Sequence, residues 1–385
     1  MVGLTTGGPS ARLSEHLEQL ALVDHHVHGT WTQDADPVRL ANALNEADTE
    51  PLADPASAWD TQLGFAVRRW CAPLLDLEPH AAPETYVRRR AELGEPEVAR
   101  RLLAPTNVDA WLVDTGWSEG LTTPEGLAAL AGGSARAVVR LETLAEGLIA
   151  TLDDPGDWVE AFAERVDQAA ATSVGFKSVL AYRCGFAVDL APPAPAAVAE
   201  AARRWQGGLA DGRPARLDDP TLIVSGLYAA LRTRRPLQLH VGFGDRDLDL
   251  AAVDPLLLTG LLRRPEVRGV PVLLLHCYPY ERNAGYLAQA FPEVHLDVGL
   301  ATHFLGAAAP GVVARSLELA PFAKVLYSSD AAGPAELHLL GALLWRRATA
   351  QVLGAWVEAG DWSAADAARV ATMVGRDNAV RVYDL

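Results

Sequence analysis

The chain has little cysteine: Cys71, Cys184 and Cys277 among 385 residues. An odd, widely spaced set without a CxxC pair excludes a disulfide framework and a cysteine-based zinc site. Basic residues are also in deficit, with 33 Lys+Arg against 49 Asp+Glu and a formal net charge of −16. That balance argues against nucleic-acid and anionic-membrane partners, both of which need basic surfaces. No window approaches the roughly 18 uncharged apolar residues of a membrane span. The most aliphatic run, 270–277, is only as long as a strand. Residues 1–10 are Gly/Thr-rich and lack a basic stretch followed by an apolar core, so no signal peptide is expected and a cytoplasmic location is the default.

Half of the residues are hydrophobic and 21% are charged, which allows a large buried core. A length of 385 exceeds the usual domain but suits an α/β barrel. Strand-length apolar runs recur at 21–28, 108–115, 135–142, 174–182, 236–242, 270–276, 295–299 and 324–330, with helical patterns between them. Continuous aliphatic strands alternating with helices imply a parallel sheet covered by helices. Eight such units close a TIM barrel, and a doubly wound open sheet is the competing architecture. The expected class is therefore α/β, a single (β/α)8 barrel over 20–385 preceded by a lead-in at 1–19. Two spacers are too long for simple crossovers. About 29–105, after strand one, reads as a helical insertion carrying Trp31, Trp59 and Trp70, and about 183–235 is a second insertion after strand four.

The chemistry-bearing residues gather where these strands end. Strand one ends in Asp24-His25-His26-Val27-His28. Alternation along a strand puts His26 and His28 on one face, about 7 Å apart at a rise of ~3.3 Å per residue, and His25 on the other, toward the helical layer. Strand five ends at His240, strand six at His276 and strand eight at Asp330, while Lys177 lies within strand four. In a barrel those ends open into one shared mouth. Imidazoles plus a carboxylate suit Zn²⁺ and related divalent ions.

This set, Asp24-x-His26-x-His28 with Lys177, His240, His276 and Asp330, resembles the metal-site order of the amidohydrolase superfamily, over about residues 20–385. The closing 376–383 stretch is similar to the last helix of its amidohydrolase-2 branch. The 175–183 stretch, His240-Val241-Gly242-Phe243-Gly244-Asp245 and Tyr278-Pro279-Tyr280 resemble the nodulin-type domain found ahead of glutamine-synthetase modules. No synthetase module follows, so a stand-alone version is expected. The resemblance implies a metal-dependent barrel with His26, His28, His240 and Asp330 as ligands, most simply of one Zn²⁺. It also implies Asp330 as general base and His276 holding the substrate carbonyl or ligating a second ion. Lys177 would bridge two metals if carbamylated, or stay charged and neutralise a substrate carboxylate.

The implied reaction is attack by hydroxide, made available at neutral pH by the ion, on an amide-type C–N bond of a small substrate bearing a carboxylate and an amine, such as a γ-glutamyl amide. Decarboxylation of a small acid by the same ligands is the alternative, and a non-catalytic metal-binding scaffold is a more distant one. Arg183 and Tyr182 at the end of strand four, Asp245, Glu142 at the end of strand three, Tyr278 and Trp117 are candidate substrate contacts, Arg183 because its fork fits a carboxylate. Asp297 is a candidate either for orienting a histidine or for contacting substrate. The partner expected is a small-molecule substrate, with a homo-oligomer possible.

Overall fold

Seven of the eight aliphatic runs form one parallel sheet in sequential order: β1 (Leu22–Val27), β2 (Val108–Asp114), β3 (Ser134–Arg140), β4 (Gly175–Ser178), β5 (Leu237–Val241), β6 (Val272–His276) and β7 (Val294–Leu296). The structure is a computed structural model and describes residues 9–46 and 52–385. Residues 1–8, part of the stretch read as lacking a signal peptide, and residues 47–51 of the first insertion lie outside the described residues. Every residue of β1, β4, β5, β6 and β7 is buried, as expected of strands covered on both faces. Among the described residues, no helix is long and apolar enough to cross a membrane.

The eighth run closes the ring without forming a ladder. Residues 325–331 make one parallel bridge, Leu296 to Val325. On the β7 side, Leu326 N donates to Leu296 O (2.9 Å) and Leu300 N to Ser329 O (2.9 Å). On the β1 side, Asp330 N donates to His26 O (3.0 Å) and His28 N to Ala331 O (2.9 Å). The run is irregular because Asp330 has a left-handed backbone (φ 50) and because the Asp24 carboxylate, not a strand carbonyl, accepts the Ser329 amide at 2.9 Å. Asp24 is therefore an anchor for the closing segment. Burial pushes its carboxyl up to about 8.

Two boundaries differ from the sequence expectation. β4 stops at Ser178, and Tyr182 and Arg183 lie on a helical turn, Leu180–Arg183. β3 stops at Arg140, so Glu142 belongs to the first turn of the helix Leu141–Ile149. The physical reason is shared. The Glu142 carboxylate accepts the Ser178 hydroxyl (2.6 Å) and the Val179 amide (3.0 Å), turning both chains away from the sheet at one level. His25 also departs from simple alternation. The β1–β2 register shifts between Asp24 and Val27, and the His25 ring comes to lie 5.9 Å from that of Tyr383. Tyr383 packs with Val23, Ala110, Leu112, Val138, Leu273 and Leu275, the inner core of the barrel, which the C-terminal helix Asn378–Tyr383 closes from below.

The first insertion is mostly helical, including Pro83–Leu93 and Glu95–Leu103, and is tied to the long helix Ala335–Glu358 by a buried ion cluster. Arg90 Nε meets Glu336 Oε1 at 2.8 Å, its Nη1 meets Glu95 Oε2 at 2.8 Å, and the Tyr86 hydroxyl donates to Glu336 at 2.8 Å. A buried charge that loses its partner is penalised far more than an exposed one. Glu336→Ala should therefore lower unfolding stability by about 3–5 kcal/mol, read from urea denaturation; an unchanged midpoint would show that the cluster does not hold the insertion.

Candidate active site

At the C-terminal mouth of the barrel, the ends of β1, β4, β5, β6 and the closing run converge. His26 Nε2 lies 2.9 Å from Asp330 Oδ1, His28 Nε2 lies 3.5 Å from the same oxygen, and His276 Nε2 lies 3.3 Å from Asp330 Oδ2. Lys177 Nζ is 3.4 Å from His26 Nε2. The His240 ring stands 4.5 Å from that of His276. His26, His28, Lys177, His240 and His276 are all buried.

The protons on this cluster are set from behind. Gln238 on β5 donates its amide N–H groups to the His25 carbonyl (2.8 Å) and the Tyr383 hydroxyl (2.7 Å). Its Oε1 must therefore accept from His26 Nδ1 at 2.8 Å. The remaining nitrogen of a neutral His26, Nε2, then points a lone pair at the Asp330 carboxylate, one acceptor facing another. Burial, followed by the nearby Lys177 charge, lowers the His26 pKa to about 4, so protonation does not relieve the conflict at neutral pH. Burial also holds His240 and His276 well below the usual histidine range. Burial alone would raise the Asp330 carboxyl, and positive charge on the His276 and His26 side of the cluster is what holds it well below its usual value.

A cation resolves such an arrangement, and the donor set fits a divalent metal. His26, His276 and Asp330 offer ligand atoms all within 4.8 Å of one another, as do His26, His28 and Asp114. Asp330 Oδ1, both ring nitrogens of His276 and His28 Nδ1 are buried without a hydrogen-bond partner among the described residues. Neutral imidazoles with one carboxylate suit Zn²⁺ and its borderline neighbours.

The expected residues are not all deployed as the sequence suggests. His240, expected as a ligand, directs Nε2 to the Phe243 carbonyl at 3.1 Å and is in neither compact donor group; His276, expected to hold the substrate carbonyl or to ligate a second ion, is in one. His276 ends β6 with a left-handed backbone (φ 72), and its Nε2 meets Asp330 Oδ2. Tyr182 does reach the site, with its ring 4.5 Å from His240 and its hydroxyl at the Asp245 amide. Trp117 is 45% exposed at the rim with its ring 5.6 Å from that of His28. Tyr278 packs edge-on against Phe243 at 6.2 Å.

Other candidates are engaged locally. Glu142 is turned into the β3–β4 junction and does not line the mouth, for the hydrogen-bonding reason given above. Arg183 pairs with Glu146 at 3.1 Å, and its Nη1 has no hydrogen-bond partner among the described residues. The Asp245 carboxylate accepts the Asp247 amide at 2.9 Å in a local turn. Asp297 lies 2.8 Å from His25 Nε2 and also accepts the His276 backbone amide at 2.7 Å, so it fixes the backbone of His276 and not its ring.

Two groups were missed. Asp114 ends β2, the same placement that singled out the histidines, and it takes both Nε (3.1 Å) and Nη2 (2.6 Å) of Arg140. The Gln238–Tyr383 link carried no sequence signal, since its members lie 145 residues apart.

A parallel barrel with a histidine–carboxylate cluster at its C-terminal mouth defines the class of metal-dependent, hydrolase-like barrels. The chain belongs to the amidohydrolase family, whose model matches residues 23–385. A provisionally assigned metal-dependent hydrolase from Lactobacillus casei ATCC 334 superposes with a TM-score of 0.85 at 28% identity, covering 97% of each chain. Uronate isomerase from Thermotoga maritima shares the fold, with a TM-score of 0.61 at 15% identity over 97% of each chain. Protein fluG of Emericella nidulans is 33% identical over 225 residues, 55% of this chain and 26% of that protein. The match thus spans only about a quarter of fluG's length.

If Gln238 sets the His26 tautomer, Gln238→Leu should weaken metal affinity about 10–100-fold, measured by competition with a chromogenic chelator. Chelation should also lower the melting temperature of the wild-type protein and added Zn²⁺ should restore it, because an ion bound only by the folded state stabilises that state. A melting curve indifferent to chelator would contradict the metal reading.

Proposed function

We propose that the protein is a metal-dependent hydrolase of an amide-type C–N bond in a small, carboxylate-bearing substrate. The observation that carries this reading is the neutral His26 Nε2 facing Asp330, with His276 closing on the other carboxylate oxygen, in a chain of the amidohydrolase family. His26, Asp330 and His276 or His28 would hold the ion, which when bound supplies a Lewis acid and makes water acidic enough to ionise near neutral pH.

The chain's own groups divide the remaining work. Asp330, ionised, accepts a proton from water at a carboxylate oxygen and returns it to the departing amine nitrogen. His276 or His240 orients the substrate carbonyl from the β5–β6 side. Lys177 brings positive charge to the floor of the mouth, and burial lowers its pKa to about 8. It can attract a substrate carboxylate, or, as the free amine, be modified to a bridging carbamate. Arg183 Nη1 offers a second contact for a carboxylate. Trp117 and Tyr182 set aromatic rings beside His28 and His240, where they can pack against a bound substrate. A compact, buried site of this kind suits a small polar molecule, and a γ-glutamyl-type amide meets the requirement.

Elemental analysis should give about one metal per chain with an unmodified Lys177; about two, with bicarbonate dependence, would favour the carbamate. On a panel of small carboxylated amides, amine release should accompany turnover, and CO₂ release without amine would overturn the reaction assignment. Asp330→Asn should reduce kcat by about 10²–10⁴-fold on any substrate found. Wild-type turnover by that variant would remove Asp330 from the proton transfer.

A further inference from the structure

Where the first insertion meets the helix Ala335–Glu358, these two and the segment holding Gly306, Ala307, Ala309 and Pro310 line a groove of about 410 Å³. That volume lies in the range of small-molecule pockets, roughly 300–1,000 Å³. Phe65, Arg69 and Trp70 from the insertion face Arg347 and Gln351 from the helix across it. Arg69 and Trp70 sit in a single π-helical turn, Val67–Cys71, a rare conformation that recurs at functional positions.

The charge arrangement is unusual for this chain. The guanidinium carbons of Arg69 and Arg347 each lie 4.4 Å from the centroid of the Trp70 ring. One indole therefore holds two cations, necessarily within two such radii of each other. Most arginines around them have carboxylates: Arg89 and Arg101 share Asp76, Arg90 has Glu95 and Glu336, and Arg100 has Glu97. Among the described residues neither Arg69 nor Arg347 makes an ion pair, in a protein whose net charge is −16. Two like charges held close repel, and the indole attracts each by only about 0.5–1 kcal/mol at an exposed site. An anion between them would satisfy both forks at once. Beside them Phe65 leaves 54% of its surface exposed, an apolar face next to the cationic pair.

We infer that this groove binds a small aromatic oxyanion. Its carboxylate or phosphate is held between Arg69 and Arg347, and its ring lies against Phe65. Trp70 contributes by keeping both guanidiniums in place before the ligand arrives, which reduces the ordering needed on binding. None of the residues in the metal cluster lines the groove, so the site is separate from the catalytic mouth. The inference is independent of the proposed reaction.

The test is calorimetric titration of the metal-loaded protein with phenyl phosphate, benzoate, inorganic phosphate and phenol. The aromatic anions should bind saturably, at least about tenfold more tightly than phosphate or phenol, a difference of about 1.4 kcal/mol. The Arg69→Gln/Arg347→Gln double variant should lose at least tenfold in that affinity while keeping the wild-type melting temperature and metal content. Phe65→Ala should weaken the aromatic anions and leave inorganic phosphate unchanged. Whichever of benzoate and phenyl phosphate binds more tightly identifies a carboxylate or a phosphate as the natural group, and either result supports the site. No saturable binding of either aromatic anion up to roughly 10 mM, or equal affinity in the double variant, would overturn it.

Discussion

The structure depends on one conflict: two hydrogen-bond acceptors, His26 Nε2 and a carboxylate oxygen of Asp330, held 2.9 Å apart in a buried place. Nothing local to either residue forces it. The conflict is imposed from behind, because Gln238 spends its two donors on the His25 carbonyl and the Tyr383 hydroxyl and can offer His26 only an acceptor. His25 completes the arrangement, receiving the Tyr383 hydroxyl at Nδ1 (3.1 Å) and facing Asp297 with Nε2. A buried network of this kind is worth having only when fully satisfied. Here the edge where acceptor faces acceptor is the one that opens on the mouth, where a cation can complete it.

Holding that edge requires backbone strain at the strand ends. His276, Cys277, Leu300 and Asp330 all take positive φ values, 72, 50, 53 and 50, a region that non-glycine residues avoid. Each is flanked by a buried anchor. Asp297 accepts the His276 and Gly299 amides, and Asp24 accepts the Ser329 amide. The failure of the eighth run to form a ladder belongs to the same account. A regular strand would send the Asp330 side chain to one face of the sheet, whereas at the irregular closure its carboxylate meets His26 and His28 from β1 and His276 from β6.

The surface groove and the catalytic mouth illustrate two ways of keeping charge. In the mouth, charge is buried and held by partners distributed over five strands. In the groove, two guanidiniums are held by a single indole and left open to solvent on one side. The first insertion serves both. Arg90 fastens it to the long helix, and its π turn presents Arg69 and Trp70 to the groove.

Strand ends were legible in the sequence because parallel strands are buried on both faces and read as aliphatic runs. His26, His28, His276 and Asp330 could therefore be placed at the mouth before any coordinates, and so could Trp117 at its rim. The same rule would have selected Asp114, which ends β2. Glu142, Tyr182 and Arg183 lie two to five residues beyond the strand ends because hydrogen bonds from Ser178 and Val179 to Glu142, invisible along either run alone, end both strands early. His25 was assigned to the outer face because alternation assumes a regular strand, and the β1–β2 register shift breaks it.

By itself, then, the sequence determined the barrel, its parallel order and the cluster of metal-competent side chains, since burial and periodicity are local properties that each run carries alone. Only the tertiary structure decided which nitrogen of His26 faces Asp330, that His276 and not His240 completes the compact donor set, and that Arg69 and Arg347 share Trp70. Those outcomes depend on side chains hundreds of residues apart meeting at fixed distances, and on which donors are already taken when they meet.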